Sequence, residues 1–171
     1  MVYYFYDIRG SIDSLVRTLL VMWGYMSTID QFIGEYSFLS NFYPSEVKLG
    51  GVTYPTVEHA YQAAKTYDTG AREAIRLCKT PSQAKRLGRA IPIMPDWENQ
   101  RLGIMSMLLV DKFSDPTLKQ SLIDTGDNTL IEGNYWHDNY WGSCSCIRCP
   151  SLGNNNLGLL LMGMRALFLC P

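Results

Sequence analysis

The sequence predicts one α+β domain that is rich in helices and contains only a small β-sheet or hairpin. Its 171 residues are a typical length for a single domain and suffice to bury a hydrophobic core. Apolar residues recur at helical spacing in several segments after residue 56, whereas the strand patterns are short. The clearest strand signal is "EVKLGGVTYP" (46–55), which alternates around Gly50-Gly51 and predicts a hairpin.

The other elements are predicted from start and stop signals along the chain. Thr56 is expected to cap a helix that runs to about Lys65, and another helix is bounded by Thr80-Pro81 and Gly88. A short strand and then a loop are predicted in "QFIGEYSFLSNF" (31–42), a further strand at 129–133 and a long polar loop at 134–156. Four more helices are predicted: at 70–78, at 95–113 with Asp96 as the cap, from Asp115-Pro116 towards "TGDN", and after residue 156.

Residues 1–25 are predicted to be an extension of the domain formed by residues 26–171. "SIDSLVRTLLVMWGYM" (11–26) has an apolar helical pattern, but Asp7 and Asp13 precede its apolar part and no small-residue cleavage site follows. A signal peptide is therefore not expected. Two interpretations stay open: a segment upstream of a natural start at Met26, or a helix that packs on the domain or on a second subunit.

The charge distribution indicates an anionic ligand. The whole chain has a net charge of −1, but residues 65–89 contain seven basic and two acidic residues, while residues 96–138 contain eight acidic and three basic ones. A basic patch beside an acidic half suits a phosphate-bearing ligand, and the arginines within 72–89 would contact it. The alternative is that these charges only cover solvated helix faces. No segment is apolar for long enough to span a membrane, so no membrane partner is expected.

The five cysteines do not form the pattern of a secreted disulfide framework. We therefore expect reduced thiols and a cytoplasmic location. His137, Cys144, Cys146 and Cys149 follow an H-x6-C-x-C-x2-C pattern whose donors would suit zinc. The C-x-C spacing departs from the usual C-x2-C knuckle, so reduced loop cysteines are favoured, and neither a metal nor a cofactor is predicted.

Two groups of residues are candidates for a functional site. Glu58, Gln62 and Lys65 are spaced by four and three residues, so they share one face of the predicted helix. Glu58 also lies in the first turn, where a carboxylate can simply complement the helix dipole. In the polar loop, Asp138 lies between Trp136 and Trp141, a grouping that suits stacking of a ring, although an Asx turn would also explain the aspartate.

Several motifs together resemble the NADAR (YbiA-like) family of N-glycosidases. The matching segments are, in order, "FLSNFYP", "YPTVEHAYQAAK", "TPSQAKRLGR", "PDW", "KF", "TGDNTLIEGN", "DNYWG" and "NNNLGLLLMGMR", and they cover roughly residues 31–166. Residues 1–25 have no counterpart in the family core, and "SCSCIRCPSL" replaces a short glycine-rich turn.

The resemblance implies hydrolysis of the N-glycosidic bond between a base-like amine and a ribose that belongs to ribose phosphate or ADP-ribose. Substrates of the family include phosphoribosylated riboflavin-pathway intermediates and ADP-ribose on nucleobases, so ADP-ribosylated guanine in nucleic acid is one candidate. The implied catalytic residues are Glu58, Lys65 and Asp138. The implied substrate-binding residues are Asn41, Gln62, Arg86, Trp97, Trp136, Trp141, Gly142 and Asn155.

Some of these roles have alternatives. Lys65 would either hold a phosphate or attack the opened ribose as a Schiff-base nucleophile. Asn41 is as readily a turn residue, and Trp97 is as readily part of the core. A non-catalytic module that binds ADP-ribose or a nucleotide is the alternative for the whole chain. The presence of all three catalytic candidates favours the enzyme.

Overall fold

The computed structural model describes residues 27–149 and 152–170, and in them it contains six α-helices, one 3-10 helix and three pairs of short strands. The helices are α1 (Val57–Ala63), α2 (Thr69–Arg76), α3 (Pro81–Gly88), α4 (Trp97–Lys112), α5 (Pro116–Asp124) and α6 (Asn156–Leu169). The strands are β1 (Thr28–Ile29), β2 (Val47–Leu49), β3 (Val52–Tyr54), β4 (Thr129–Leu130), β5 (Gly133–Asn134) and β6 (Ser143–Cys144). The predicted α+β class is confirmed, and the predicted extension, residues 1–25, lies outside the described residues.

The strand pairs are separate from one another. β2 and β3 form the predicted antiparallel hairpin, with Val47 opposite Tyr54. β1 pairs with β4 in parallel, and β5 pairs with β6 in parallel. Among the described residues, no helix has the length and apolar character needed to cross a membrane.

Helix α1 forms the centre of the fold. The side chain of Thr56 accepts a hydrogen bond from the backbone of His59, which confirms the predicted cap. α1 contacts α2, α3, α4 and the β2–β3 hairpin, and every one of its residues is buried. Its polar residues Glu58 and Gln62 are therefore held between neighbouring elements, with little room to change position.

The helix boundaries largely follow the predicted signals. α3 begins at Pro81, is capped by the Thr80 side chain and ends at Gly88. Asp96 occupies the N-cap position of α4, but its side chain makes no capping hydrogen bond and instead accepts one from Asn99 Nδ2 at 2.6 Å. The predicted capping function of Asp96 is therefore wrong, although the predicted position is right.

The prediction for residues 31–42 is wrong. This segment contains a 3-10 helix, Gly34–Leu39, in place of a strand, and the nearest strand is β1. Gly34 has a φ of +58°, which an extended strand does not accommodate. The predicted strand at 129–133 is divided into β4 and β5, and the predicted loop at 134–156 contains β6.

A buried lysine connects the long helix to the segment before the hairpin. Lys112, near the end of α4, is 1% exposed, and its Nζ donates a hydrogen bond to Ser40 O at 2.7 Å. Burial lowers the pKa of Lys112 to about 7. The next residue after Ser40 is Asn41, whose carbonyl accepts a hydrogen bond from Glu58 N at 3.0 Å. These two contacts fix the residues that approach the start of α1.

Candidate active site

A cavity of about 320 Å³ lies between α1, α3, α4 and the segment 132–141. Its size falls within the range of ligand-binding pockets, about 300–1,000 Å³. Four carboxyl groups line it, from Glu58, Glu98, Glu132 and Asp138, together with four cations, from Lys65, Lys85, Arg89 and Arg101. The basic and the acidic segments of the sequence therefore meet in a single cavity.

Glu58 and Gln62 line the cavity from one face of α1, and Lys65, in the turn just after the end of α1, lines it with them, as their spacing predicts. Glu58 is 5% exposed, and its Oε1 accepts a hydrogen bond from Gln62 Nε2 at 2.7 Å. Burial raises the pKa of Glu58, while the nearby charge of Lys85 opposes the rise. A helix-dipole role alone would leave such a residue at the surface, whereas here it forms part of the cavity wall.

Lys65 lies against an aromatic wall. Its Nζ is 5.6 Å from the ring centroid of Tyr61 and 5.9 Å from that of Trp97, distances at which a cation is attracted to the ring faces. Burial lowers the pKa of Lys65, and Glu58 acts in the opposite direction. A lowered pKa increases the fraction of neutral amine, which is the nucleophilic form.

Glu132 also lines the cavity, although no pattern in the sequence predicts a role for it. Burial raises its pKa to about 7, with smaller contributions in the same direction from the charges of Asp138 and Glu58. Its Oε2 is buried and has no hydrogen-bond partner among the described residues. A carboxyl group in this state holds a proton near neutral pH and can transfer it to a bound ligand.

Asp138 forms a turn and also lies at the cavity, so its position is compatible with both roles that the sequence suggested. Its Oδ1 accepts hydrogen bonds from the backbone of Tyr140 at 3.3 Å and of Trp141 at 2.9 Å, so it forms the turn expected of an aspartate in a polar loop. It also lines the cavity. Both backbone bonds use the same oxygen, which leaves the second oxygen for a ligand.

Aromatic rings and an arginine form the wall beside Asp138. The Arg101 guanidinium carbon is 3.3 Å from the ring centroid of Tyr140, and Tyr140 meets Trp141 edge to face at 4.8 Å. Trp141 Nε1 donates a hydrogen bond to the Tyr61 hydroxyl at 3.2 Å. Trp97 contributes a further ring, 5.0 Å from Tyr61. This wall offers ring surfaces for a planar group and one cation for an anion.

Four buried polar atoms lack a hydrogen-bond partner in the part of the chain that the structure describes: Asn41 Oδ1, Gln62 Oε1, Arg101 Nε and Glu132 Oε2. All four belong to side chains that line this cavity. Because unpaired buried polar groups cost free energy, their concentration in one place indicates a site shaped for a polar ligand. A larger, more open depression of about 600 Å³ near Lys48 and Asp111 contains none of the four.

Four of the residues implied by the family resemblance lie outside the cavity lining. Arg86 is exposed, and Lys85 and Arg89 line the cavity in its place. Trp136 is 59% exposed and lines a neighbouring cavity that also includes Lys85 and Glu132.

The other two, Gly142 and Asn155, support Glu132 through its backbone. A Cβ on Gly142 would lie 2.1 Å from Glu132 O. Asn155 Oδ1 accepts a hydrogen bond from Glu132 N at 3.0 Å. The remaining implied residues, Asn41, Gln62, Trp97, Trp141 and the three catalytic candidates, line the cavity together.

Comparison with known proteins identifies the family. The model of the NADAR domain matches residues 29–169, nearly all of the described chain. The chain belongs to the NADAR family. Its sequence is 36% identical over 134 residues to N-glycosidase YbiA of Escherichia coli (strain K12), covering 77% of this chain and 81% of that protein. It is 34% identical over 134 residues to riboflavin biosynthesis protein VVA0006 of Vibrio vulnificus (strain YJ016), covering 77% of this chain but 35% of that protein.

The fold agrees with the sequence comparison. The NMR structure of the E. coli protein YbiA matches with a TM-score of 0.68 at 31% sequence identity, over 84% of this chain and 89% of that one. The family resemblance drawn from the motifs is thus confirmed. Glycosidase activity is supported at the level of the family, through relatives named N-glycosidase.

Proposed function

We propose that the chain hydrolyses the N-glycosidic bond between a base-like amine and a ribose that carries phosphate or belongs to ADP-ribose. The observation that supports this most is the gathering of three carboxyl groups, Glu58, Glu132 and Asp138, with four cations in one cavity of about 320 Å³. N-glycoside cleavage passes through an oxocarbenium-like sugar, and carboxyl groups stabilise its charge and move the protons. The four cations can pair with the phosphate groups of such a substrate.

The leaving nitrogen needs a proton, and Glu132 is suited to supply it. Its pKa of about 7 keeps a substantial protonated fraction at neutral pH. As the bond between the anomeric carbon and the nitrogen breaks, the proton moves from the carboxyl group to the nitrogen, and the amine leaves uncharged. The unpartnered Oε2 is the atom that would contact the nitrogen.

Glu58 and Asp138 suit the other half of the reaction. Glu58 accepts a hydrogen bond from Gln62 Nε2, which holds its carboxyl group in one orientation in the cavity wall. Asp138 is fixed in the same manner by backbone N–H groups. One of the two stabilises the positive charge at the anomeric carbon, and the other removes a proton from the attacking water, whose oxygen becomes the new hydroxyl group of the ribose.

The cations and rings account for the rest of the substrate. Lys85, Arg89 and Arg101 can pair with phosphate oxygens, and the last of these has a buried Nε without a partner among the described residues. Trp97 and Trp141 offer surfaces to the base-like group. Lys65 has two compatible functions, namely binding of a phosphate or attack on the opened ribose, and its lowered pKa favours the second.

The test offers two substrate classes to the purified full-length chain: a phosphoribosylated intermediate of riboflavin synthesis, and an oligonucleotide that carries ADP-ribose on guanine. Mass spectrometry then follows release of the amine or of unmodified DNA. We expect turnover of at least one of them, lost in Glu132→Gln and kept in Glu46→Gln, an exposed control at the larger depression. Tight binding of ADP-ribose with no release from either substrate would instead support the binding module. The cytoplasmic location stays a prediction.

A further inference from the structure

A histidine and three cysteines of the loop beside the cavity converge on one point. The ligand atoms of His137, Cys144, Cys146 and Cys149 all lie within 4.8 Å of one another. His137 Nδ1 is 3.3 Å from the sulfur of Cys146 and 3.3 Å from that of Cys149. In a tetrahedral zinc site, bond lengths of about 2.3 Å to sulfur and about 2.0 Å to nitrogen place the ligand atoms roughly 3.5–3.8 Å apart. The cluster needs only small adjustments to reach that geometry.

We propose that these four residues bind one structural zinc ion. Three thiolates and one imidazole are a donor set that selects zinc, and four protein ligands leave no open position for catalysis. The proposal reverses the expectation from the sequence, which favoured reduced loop cysteines because of the C-x-C spacing. Chain folding, and not a compact C-x2-C knuckle, brings His137 to the cysteines.

The backbone places the four ligands in specific ways. β5 and β6 pair with Asn134 opposite Cys144, and Ser145 N donates to Asn134 O at 2.9 Å, which fixes the start of the cysteine segment. Cys149 N donates to Cys146 O at 3.1 Å, closing a turn that brings those two sulfurs together. His137 has a left-handed φ of +68°, a strained conformation for histidine that turns the chain between Trp136 and Asp138.

One side chain supports the cluster from outside. Asn139 Nδ2 donates a hydrogen bond to Cys149 Sγ at 3.2 Å, and Asn139 Oδ1 accepts one from Cys144 N at 2.9 Å. An N–H donor directed at a ligating sulfur is the usual outer contact of a metal–thiolate site. Asn139 therefore links two of the proposed ligands and orients one sulfur.

The segment that carries the ligands has little apolar burial to hold it in place. Ile147, between the second and third cysteines, is fully exposed, and His137 itself is exposed. Structural zinc supplies folding free energy directly, and this explains how an exposed polar segment keeps a defined shape. Because Asp138 directly follows His137, and Gly142 lies two residues before Cys144, the ion also fixes the loop that forms one wall of the cavity.

The proposal is tested by metal analysis of the full-length chain, expressed with zinc and purified without chelator. We expect about one zinc per chain. Cys146→Ser and Cys149→Ser should lose it, whereas Cys78→Ser and Cys170→Ser, cysteines outside the cluster, should keep it. Asn139→Ala should weaken zinc binding by about 10–100-fold in a competition with a chromophoric chelator.

A second measurement on the unmodified chain avoids dependence on variants that fail to fold. Replacement of zinc by Co²⁺ should give the intense visible bands of a tetrahedral cobalt–thiolate site. Three results would overturn the proposal: no stoichiometric metal in the unmodified chain together with absent cobalt bands, equal metal content in the Cys146→Ser and Cys78→Ser proteins, or a mass lower by two hydrogens that reveals a disulfide within the cluster.

Discussion

Glu132, the proposed proton donor, shares the cavity with Glu58 and Asp138, and burial there favours its protonated form. Since Glu132 has to be protonated in the free enzyme, kcat/KM should fall about tenfold per pH unit above a pKa near 7. Glu132→Gln keeps the shape but has no acidic proton, so turnover should fall by about 10²–10⁴-fold and the residual rate should lack this alkaline limb. Measurement of kcat/KM against pH for the unmodified chain and for Glu132→Gln checks both expectations.

The same shift makes a prediction about stability. The pKa of Glu132 rises from an ordinary 4.5 to about 7 on folding, so the folded chain binds more protons than the unfolded chain between these values. Its contribution to the free energy of unfolding is therefore present in full below pH 4.5 and declines as the pH rises towards 7. Glu132→Gln should show a smaller decline between pH 5 and pH 8 in urea unfolding. Parallel curves for the two proteins would mean that Glu132 has an ordinary pKa.

Lys65 is the residue whose two possible functions an experiment can separate. Burial lowers the pKa of Lys65, which favours the neutral amine that would attack the opened ribose and form a Schiff base. If it does so, borohydride added during turnover should attach the sugar covalently to Lys65, and peptide mass spectrometry would locate the adduct. Lys85→Met, which changes another cavity lysine, should still be trapped. Turnover without any adduct would assign Lys65 to phosphate binding.

At the scale of elements, the site depends on how closely α3 approaches α1. A Cβ on Gly88 would lie 2.1 Å from Gln62 Oε1 and 2.8 Å from Gln62 Cβ, so Gly88→Ala has to displace the side chain that orients Glu58. We expect a loss of about 1–3 kcal/mol in unfolding free energy and a lower turnover rate. Gly103→Ala in α4 is the matched control, because a Cβ there meets nothing within 4 Å and should stabilise the helix by up to about 1 kcal/mol. Equal melting temperatures and rates for the two variants would contradict this account.

The sequence predicts the position of a site residue well where that residue lies on a regular helix, and poorly where it lies between short strands. The common direction of Glu58, Gln62 and Lys65 could be predicted, because residues four and three apart on a helix point the same way. The role of Glu132 could not be predicted, because this residue lies between two-residue strands and its raised pKa results from burial by residues distant in sequence. Arg86, which the family resemblance implies, lies in a run of basic residues, and the sequence alone does not show which members of that run face the cavity. In the structure Gly88 packs against Gln62, and Lys85 and Arg89 line the cavity.

At the scale of the whole molecule, the functional unit is expected to lie after residue 25. The NADAR match begins at residue 29, and among the described residues all those that line the cavity come later. Deletion of residues 1–25 should therefore leave a domain that folds cooperatively and turns over substrate at a rate within about threefold of the full chain. Thermal melting and the glycosidase assay check this. Insoluble protein or a non-cooperative melt would show that the extension packs into the core.

In the folded chain the basic and acidic segments do not form two separate surfaces, as the sequence suggested, but both contribute residues to the cavity. Lys65, Lys85 and Arg89 come from the basic segment, Glu132 and Asp138 come from the acidic segment, and all five line one cavity. The raised pKa of Glu132 reduces the negative charge near neutral pH, so the cations are left to attract phosphate. The cavity thus combines an anion-binding region with one carboxyl group, that of Glu132, which can hold a proton near neutral pH.

The central claim is that this cavity breaks the glycosidic bond with its buried carboxyl groups, and Glu58→Gln tests it most directly. The variant keeps the shape of the side chain that Gln62 contacts and removes its charge. Single-turnover release of the amine should slow by about 100-fold or more, while the affinity for ADP-ribose, measured by calorimetry, changes by less than about threefold. Glu46→Gln should match the unmodified chain. Near-normal release by Glu58→Gln with a small drop in melting temperature would contradict the claim and leave Glu58 as a first-turn residue that complements the helix dipole.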